Sequence, residues 1–271
     1  MARDRAHVHF RSHDFLYQHM LDGLIERMED VQRPLRDVLV IGCPDETARM
    51  RLEAMGKTVT CCDPGAKNAR LNDGVQAEED ALPFAENSFD LVLACGTLDS
   101  VNDLPGALIV MRRILRPDGL LLGACVGAGS LTRLKATLLE GEGDHATAHV
   151  HPQIDVRAAG DLLARTGYAM PVADSEALKV RYGDLLGLMH DLRFMGCGNV
   201  MTRARRGGIR RDSLARAAAA FARAADADGK TAEDFSILYL SGWKPDPSQP
   251  KAARRGSGKV SLAQALKTPL S

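Results

Sequence analysis

The stretch Val38–Asp45, with the sequence VLVIGCPD, constrains the fold more than any other part of the chain. An apolar run reaches Gly42, the chain turns, and a helix is predicted over Glu46–Met55. A second β-like run, Thr58–Cys62, ends immediately before Asp63. Strand, turn, helix and strand in this order are typical of a nucleotide-binding α/β unit, in which an acid after the second strand holds ribose hydroxyls.

Composition excludes several classes of protein. The 271 residues can bury a full core, and 35 basic residues balance 35 acidic ones, so no net charge attracts nucleic acid or a membrane surface. No apolar run is long enough to span a bilayer, and the N-terminus lacks the apolar core of a secretory signal and the character of a transit peptide. We therefore expect a cytoplasmic bacterial protein with free, mostly buried cysteines.

Strands and helices alternate along most of the chain. Other strands are predicted at Asp37–Ile41, around Val75, and at Phe89–Ala94, Leu120–Val126, Tyr168–Ala173 and Phe235–Trp243. Other helices are predicted at His13–Val31, Asp103–Leu115, Asp155–Thr166, Tyr182–Met195 and Asp212–Ala225, with Asp212 as an N-cap and Arg116–Gly119 as a turn. This alternation predicts a parallel, doubly wound, Rossmann-like sheet.

We divide the chain into three parts. Residues 1–36 are expected to form an N-terminal helical segment. Residues 37–243 form the α/β domain, with a helical insertion near 182–228. Residues 244–271, rich in Pro, Gly, Ser and basic residues, are expected to form a flexible tail. A basic connection, Arg203–Arg211, is expected to be solvated.

Several motifs together resemble known families. Residues 82–124, LPFAENSFDLVLACGTLDSVNDLPGALIVMRRILRPDGLLLGA, resemble the class I S-adenosylmethionine methyltransferases, especially the branch that includes malonyl-acyl-carrier-protein O-methyltransferase. Similarity to the mitochondrial complex I assembly factors with a methyltransferase fold is carried by RDRA, HDFL, HVHP, LMHDLRFMGCGN, ILYLSGWK and RGSGKVSLAQAL. These stretches extend over nearly the whole chain.

The resemblance implies a fold, a cofactor and a partner. The fold is a seven-stranded class I methyltransferase sheet, with Phe235–Trp243 inserted as an antiparallel strand. The cofactor is S-adenosylmethionine, and the substrate is a protein side chain or an intermediate in the assembly of respiratory complex I. One family member hydroxylates an arginine of a complex I subunit, so arginine hydroxylation is one alternative. A non-catalytic assembly or docking factor is another.

Eight residues are candidates for cofactor binding: Gly42, Cys43, Asp63, Pro64, Glu78, Glu79, Cys95 and Gly96. Asp63 would accept hydrogen bonds from ribose, although an aspartate before Pro-Gly also suits a capped turn. We expect Asp63→Ala to weaken cofactor binding and leave the melting temperature nearly unchanged. Glu78 or Glu79 would receive the adenine amino group, or both belong to a solvated loop. Cys95 and Gly96 would line the pocket, or be buried.

The cofactor loop departs from the family's D-x-G-x-G-x-G pattern. Val40 replaces the acid, Pro44 has no N–H to donate, and Asp45 and Glu46 add negative charge. Each change is expected to cost about 1–2 kcal/mol of binding free energy. We therefore expect S-adenosylmethionine to bind weakly or not at all. Asp99-Ser100 also stand where the family usually has His-Trp.

Histidines offer one candidate on the substrate side. The resemblance assigns His149 there, whereas a surface loop is the other interpretation. His149 and His151 have no third ligand nearby in the sequence, so we predict no metal site. His7, His9 and His13 are expected to be on the surface or disordered.

Overall fold

The computed structural model describes residues 2–143, 149–201 and 208–249. The strands of these segments are β1 (Asp37–Ile41), β2 (Thr58–Asp63), β3 (Val75–Gln76), β4 (Phe89–Cys95), β5 (Leu115–Val126), β6 (Ala169–Tyr182) and β7 (Thr231–Trp243). Their helices are α1 (Ala2–Ala6), α2 (Phe15–Glu29), α3 (Thr47–Ala54), α4 (Ala66–Leu71), α5 (Leu104–Ile114), α6 (Thr132–Glu142), α7 (Val156–Arg165), α8 (Leu185–Phe194) and α9 (Arg211–Arg223). Short 3₁₀ turns cover Phe10–Ser12 and Leu98–Ser100.

The strands of the described segments form one seven-stranded sheet in the order β3-β2-β1-β4-β5-β7-β6. β1 to β5 pair in parallel, whereas β7 pairs antiparallel with both β5 and β6. The predicted doubly wound fold with an inserted antiparallel strand is therefore confirmed. β7 begins earlier than predicted, at Thr231, because it pairs with β6 along its whole length.

The core has one apolar layer on each face of the sheet. Successive residues of β1 alternate between the layers, as the pleat of a strand requires. Val38 and Val40 pack on the side of α2, and Leu39 and Ile41 on the side of α5. α2 belongs to the first layer, so the predicted N-terminal segment supplies part of the core of the sheet.

Several predicted element boundaries were wrong. Arg116–Gly119 is part of β5, where a register shift against β4 and a positive φ at Asp118 accommodate the bend. Tyr182 ends β6, and α8 begins later because Asp184 caps it by accepting from the Gly187 N–H. Asp212 lies in the first turn of α9 and does not cap it. The predicted N-terminal helical segment contains α1 as a separate short helix, and no helix was predicted at α4 or α6.

Two basic stretches lie partly outside the described residues: 203–207 of the Arg203–Arg211 connection and 250–271 of the tail. The start of the tail is bonded to the sheet, since the Lys244 ammonium donates to the carbonyls of Leu115 and Arg113 at 2.8 and 3.0 Å. Among the described residues, no helix combines the length and apolar character needed to cross a bilayer.

Candidate functional site

The carboxyl ends of β1, β2 and β4 meet at one edge of the sheet and bring together Gly42, Asp63 and Gly96. Gly42 has a φ of 84°, and a Cβ there would lie 2.4 Å from the carbonyl oxygen of Cys95. Only glycine tolerates both the left-handed backbone and this close approach. The glycine is therefore required by the packing of two strands, with or without a ligand.

Asp63 is fully buried at this edge and bonded within the cofactor loop. Its carboxylate accepts from the backbone N–H of Cys43 at 3.0 Å and of Gly65 at 2.7 Å. The Asn68 amide donates at 3.3 Å. Both sequence interpretations of Asp63 are thus compatible with its position: it organises the turn and it stands at the ligand-facing end of a strand.

A residue that the sequence analysis did not select, Arg3 of α1, completes the cluster. Its guanidinium donates to the Gly96 carbonyl at 2.9 Å and to Asp63 at 3.4 Å, and only 17% of the side chain is exposed. Burial alone lowers the pKa of Arg3, but the facing carboxylates of Asp63, Glu79 and Asp99 raise it above its ordinary value. The guanidinium therefore stays charged and is the cation of a site lined by acids.

The two acids of the following loop lie in different environments. Glu78 is exposed, whereas Glu79 is 4% exposed. Burial raises the pKa of Glu79 to about 7, opposed by Arg3 and reinforced by Glu78 and Asp63. Of the two adenine-binding candidates, only Glu79 faces the cluster.

The remaining cofactor candidates lie in or beside the loop. Pro64 is buried, and its carbonyl accepts from the Gln76 amide at 3.2 Å. Burial raises the pKa of the Cys43 and Cys95 thiols, so neither is an activated nucleophile.

Cys95 and Gly96, with Pro44 and Arg3, line a cavity of about 30 Å³, which we call the small cavity. Ligand pockets usually measure about 300–1,000 Å³, so this cavity, which α1 helps to line, is too small for a nucleoside cofactor.

Most residues at which the loop departs from the family pattern have structural roles. Val40 is fully buried in the layer beneath α2, where an aspartate would be an unpaired charge. The Asp45 carboxylate accepts from the N–H and hydroxyl of Thr47, both at 3.0 Å, at the start of α3. Glu46 pairs with Arg11. The added negative charges are thus bonded within the chain, and Pro44 remains as the missing donor.

A second and much larger cavity lies beside the first. Its volume is about 540 Å³, and Cys197 lines both cavities. The apolar side chains of its wall come from α6, α8 and the segments near them: Leu131, Leu134, Leu138, Val150, Met189, Leu192 and Ile209. His149 lines this large cavity, with its Nε2 2.8 Å from Glu142 Oε1. The substrate-side candidate therefore lies in a cavity adjacent to the cofactor candidates.

The N-terminal histidines were predicted to be on the surface or disordered, and two of them are bonded. His7 Nδ1 lies 2.9 Å from Asn68 Oδ1, and His13 Nδ1 lies 2.6 Å from Asp191 Oδ1, whereas His9 is exposed. The surface position was predicted, but the bonds of His7 and His13 were not, because a run of charged and histidine residues has no apolar periodicity. The RDRA motif was the one signal that could have indicated the role of this segment.

Comparisons with known proteins identify the family and the fold. A family profile described as a methyltransferase domain matches residues 39–123. The arginine hydroxylase NDUFAF5 of Danio rerio is 35% identical over 94% of this chain and 83% of its own. A malonyl-acyl-carrier-protein O-methyltransferase of Methylovorus is 29% identical over 89% of this chain and 86% of its own.

Among solved structures, the YcgJ protein from Bacillus subtilis superposes with a TM-score of 0.58 at 15% identity, over 84% of this chain and 99% of its own. That likeness concerns the fold alone. The match to NDUFAF5 covers 94% of the chain and so extends well beyond the methyltransferase profile on both sides. The chain belongs to the NDUFAF5 family, which has the class I S-adenosylmethionine methyltransferase fold.

Proposed function

We propose that this chain is an enzyme of the S-adenosylmethionine-dependent methyltransferase family that modifies a protein side chain during the assembly of respiratory complex I. The observation that carries the proposal is the adjacency of an acid-lined strand edge and a large apolar cavity, joined at Cys197. The proposed partner is a protein substrate or an assembly intermediate. The proposed compartment is the bacterial cytoplasm, supported by the similarity to bacterial enzymes.

The residues at the strand edge fit an adenosine ligand in their chemistry. Asp63 has the acceptor capacity for a ribose hydroxyl once Arg3 withdraws, because a carboxylate has about four acceptor sites. Ionised Glu79 would accept from the adenine amino group. Thr97, packed beside Gly42, has a buried hydroxyl without a hydrogen-bond partner among the described residues, so a polar group is available for the ligand. S-adenosylmethionine, when bound, supplies a methyl group on a sulfonium centre.

The binding is proposed to be weak. Pro44 has no N–H for the carboxylate of the methionine part, and the small cavity is closed. Adenosine-like fragments should therefore compete well with the full cofactor. Pro44→Gly should tighten binding of S-adenosylmethionine more than binding of methylthioadenosine, which has no carboxylate.

Arginine hydroxylation is the alternative that a specific observation favours. The described structure holds a guanidinium, that of Arg3, among Asp63, Glu79 and Asp99. A site with this charge distribution is suited to an arginine of a partner protein, and the NDUFAF5 relatives are named arginine hydroxylases. A non-catalytic docking factor is the third candidate, and the closed small cavity favours it.

One pair of measurements separates these candidates. Calorimetric titration with S-adenosylmethionine tests the cofactor. Mass spectrometry of complex I assembly intermediates, isolated with and without the chain, tests the reaction: methyl transfer adds a CH₂ unit and hydroxylation adds an oxygen. A bound cofactor with a methylated side chain supports the proposed function. An added oxygen would establish the hydroxylase, and a bound intermediate with unchanged mass would establish the docking factor.

A further inference from the structure

We propose that α1 is an autoinhibitory latch, in which Arg3 occupies the cofactor site and must withdraw before an adenosine ligand binds. The inference rests on the proposed function for the identity of that ligand. Its basis is competition: Arg3 occupies acceptors on Asp63 and Gly96, and both Arg3 and Gly96 line the small cavity.

The latch is held by a few polar contacts to α4. Lys67 N–H donates to the Asp4 carboxylate at 3.0 Å, and His7 meets Asn68 at 2.9 Å. Asn68 itself donates to Asp63. The contacts of α1 therefore end on the same cluster that would bind the cofactor, and ligand binding there is coupled to release of α1.

On its other side α1 packs beside the end of α8. Ala6 is 3% exposed, and a Cβ built on Gly196 would lie 3.9 Å from the Ala6 Cβ. Cys197, the next residue, lines both cavities. Withdrawal of α1 would thus enlarge the small cavity at the point where it adjoins the large one.

The contacts that hold α1 in place are weak enough for α1 to detach reversibly. α1 has five residues, and helices of this length are not stable alone. The Arg3–Asp63 contact of 3.4 Å is longer than the roughly 2.7–2.9 Å of strong charge-assisted hydrogen bonds. The apparent affinity of a ligand for the open state is reduced by the fraction of open molecules, so the latch sets the affinity.

A disulfide between α1 and α8 tests the latch directly. Ala6→Cys with Gly196→Cys, in a Cys197→Ser background, places two Cβ atoms at a separation that disulfides favour, about 3.5–4.5 Å. Gly196 has a φ of 81°, so the melting temperature of the variant must be measured first. We expect the oxidised protein to lose methylthioadenosine and S-adenosylmethionine binding in calorimetry, and the reduced protein to bind both. Equal binding by the oxidised and reduced forms would overturn the latch.

Arg3→Ala in the full chain gives the converse test, with Arg5→Ala as the matched control on the same helix. Without the guanidinium, methylthioadenosine affinity should rise about tenfold, whereas the control should match the wild type. Weaker binding by Arg3→Ala in a folded protein would mean that Arg3 contacts the bound ligand, and would overturn the latch. Failure of every form, including the reduced double-cysteine variant, to bind either ligand would instead reject the cofactor of the proposed function.

Discussion

The two cavities at the carboxyl edge of the sheet differ in how the protein fills them. The small cavity measures about 30 Å³ and is lined by Arg3, whose guanidinium bonds to the buried Asp63 carboxylate, whereas the large one measures about 540 Å³ and has mostly apolar walls. A buried carboxylate without a partner costs several kcal/mol, roughly 3–5 when a pair is broken. An apolar wall facing a wide cavity has no such requirement. The buried Asp63 carboxylate therefore explains why Arg3 is held at the small cavity.

Asp63→Ala, at the small cavity, should reduce the stability of the protein more than any of the other substitutions below. Loss of its carboxylate leaves the N–H groups of Cys43 and Gly65 and the Arg3 guanidinium without their acceptor. We expect the free energy of unfolding to fall by about 3–5 kcal/mol. These contacts revise the expectation from sequence that the melting temperature stays nearly unchanged.

The control for Asp63→Ala is Glu78→Ala, since Glu78 is an exposed acid of the same site region. Its free energy of unfolding should change by less than about 0.5 kcal/mol. Chemical denaturation of both variants measures the difference. Equal stability of the two would contradict the view that the cluster is held by Asp63.

Glu79→Gln should give a pH-dependent effect. The pKa of folded Glu79, about 7, lies above its ordinary 4.5, so the stability it contributes is full below pH 4.5 and is lost as the pH rises through 7. Glutamine does not titrate. The variant should gain stability relative to wild type between pH 4.5 and 8, by up to roughly 3 kcal/mol. Denaturation across this range measures the difference, and equal stabilities at every pH would contradict it.

A pair of helical glycines tests the packing of α6, the helix that supplies part of the wall of the large cavity, against α9. A Cβ on Gly141 of α6 would lie 2.5 Å from the Ser213 carbonyl and 2.8 Å from the Ala217 Cβ. Gly141→Ala should therefore lose about 1–3 kcal/mol of stability by separating α6 from α9. Gly160→Ala in α7, where the nearest atom is 3.6 Å away, should gain about 0.5–1 kcal/mol. Equal melting temperatures of the two variants would contradict the close packing of α6 against α9.

His149→Gln should have the smallest effect on stability. Glu142 is buried, but a glutamine amide can still donate to its carboxylate, so the change should be about 1 kcal/mol or less. Because His149 lies in the large cavity, methylthioadenosine affinity should remain that of the wild type while modification of the protein substrate slows. A change in nucleoside affinity would show that the two cavities do not act separately.

The pattern of the chain predicted the sheet well and the candidate site only in part. Strands such as Asp37–Ile41 are predictable because apolar runs bounded by turn residues have few alternatives. Sequence analysis selected both Glu78 and Glu79, and only packing decides which of two adjacent acids faces inward. The bend of β5 at Asp118 was missed because a Pro-Asp-Gly sequence suits a turn equally well.

By itself the sequence determined that a strand ends at Gly42 and that an acid, Asp63, follows the next parallel strand at the same edge. These features depend on local periodicity and on the backbone freedom of glycine. The tertiary structure alone decided that Arg3, 60 residues before Asp63, is the partner of that acid. Such a contact depends on where α1 packs between α4 and α8, and no local pattern specifies that position.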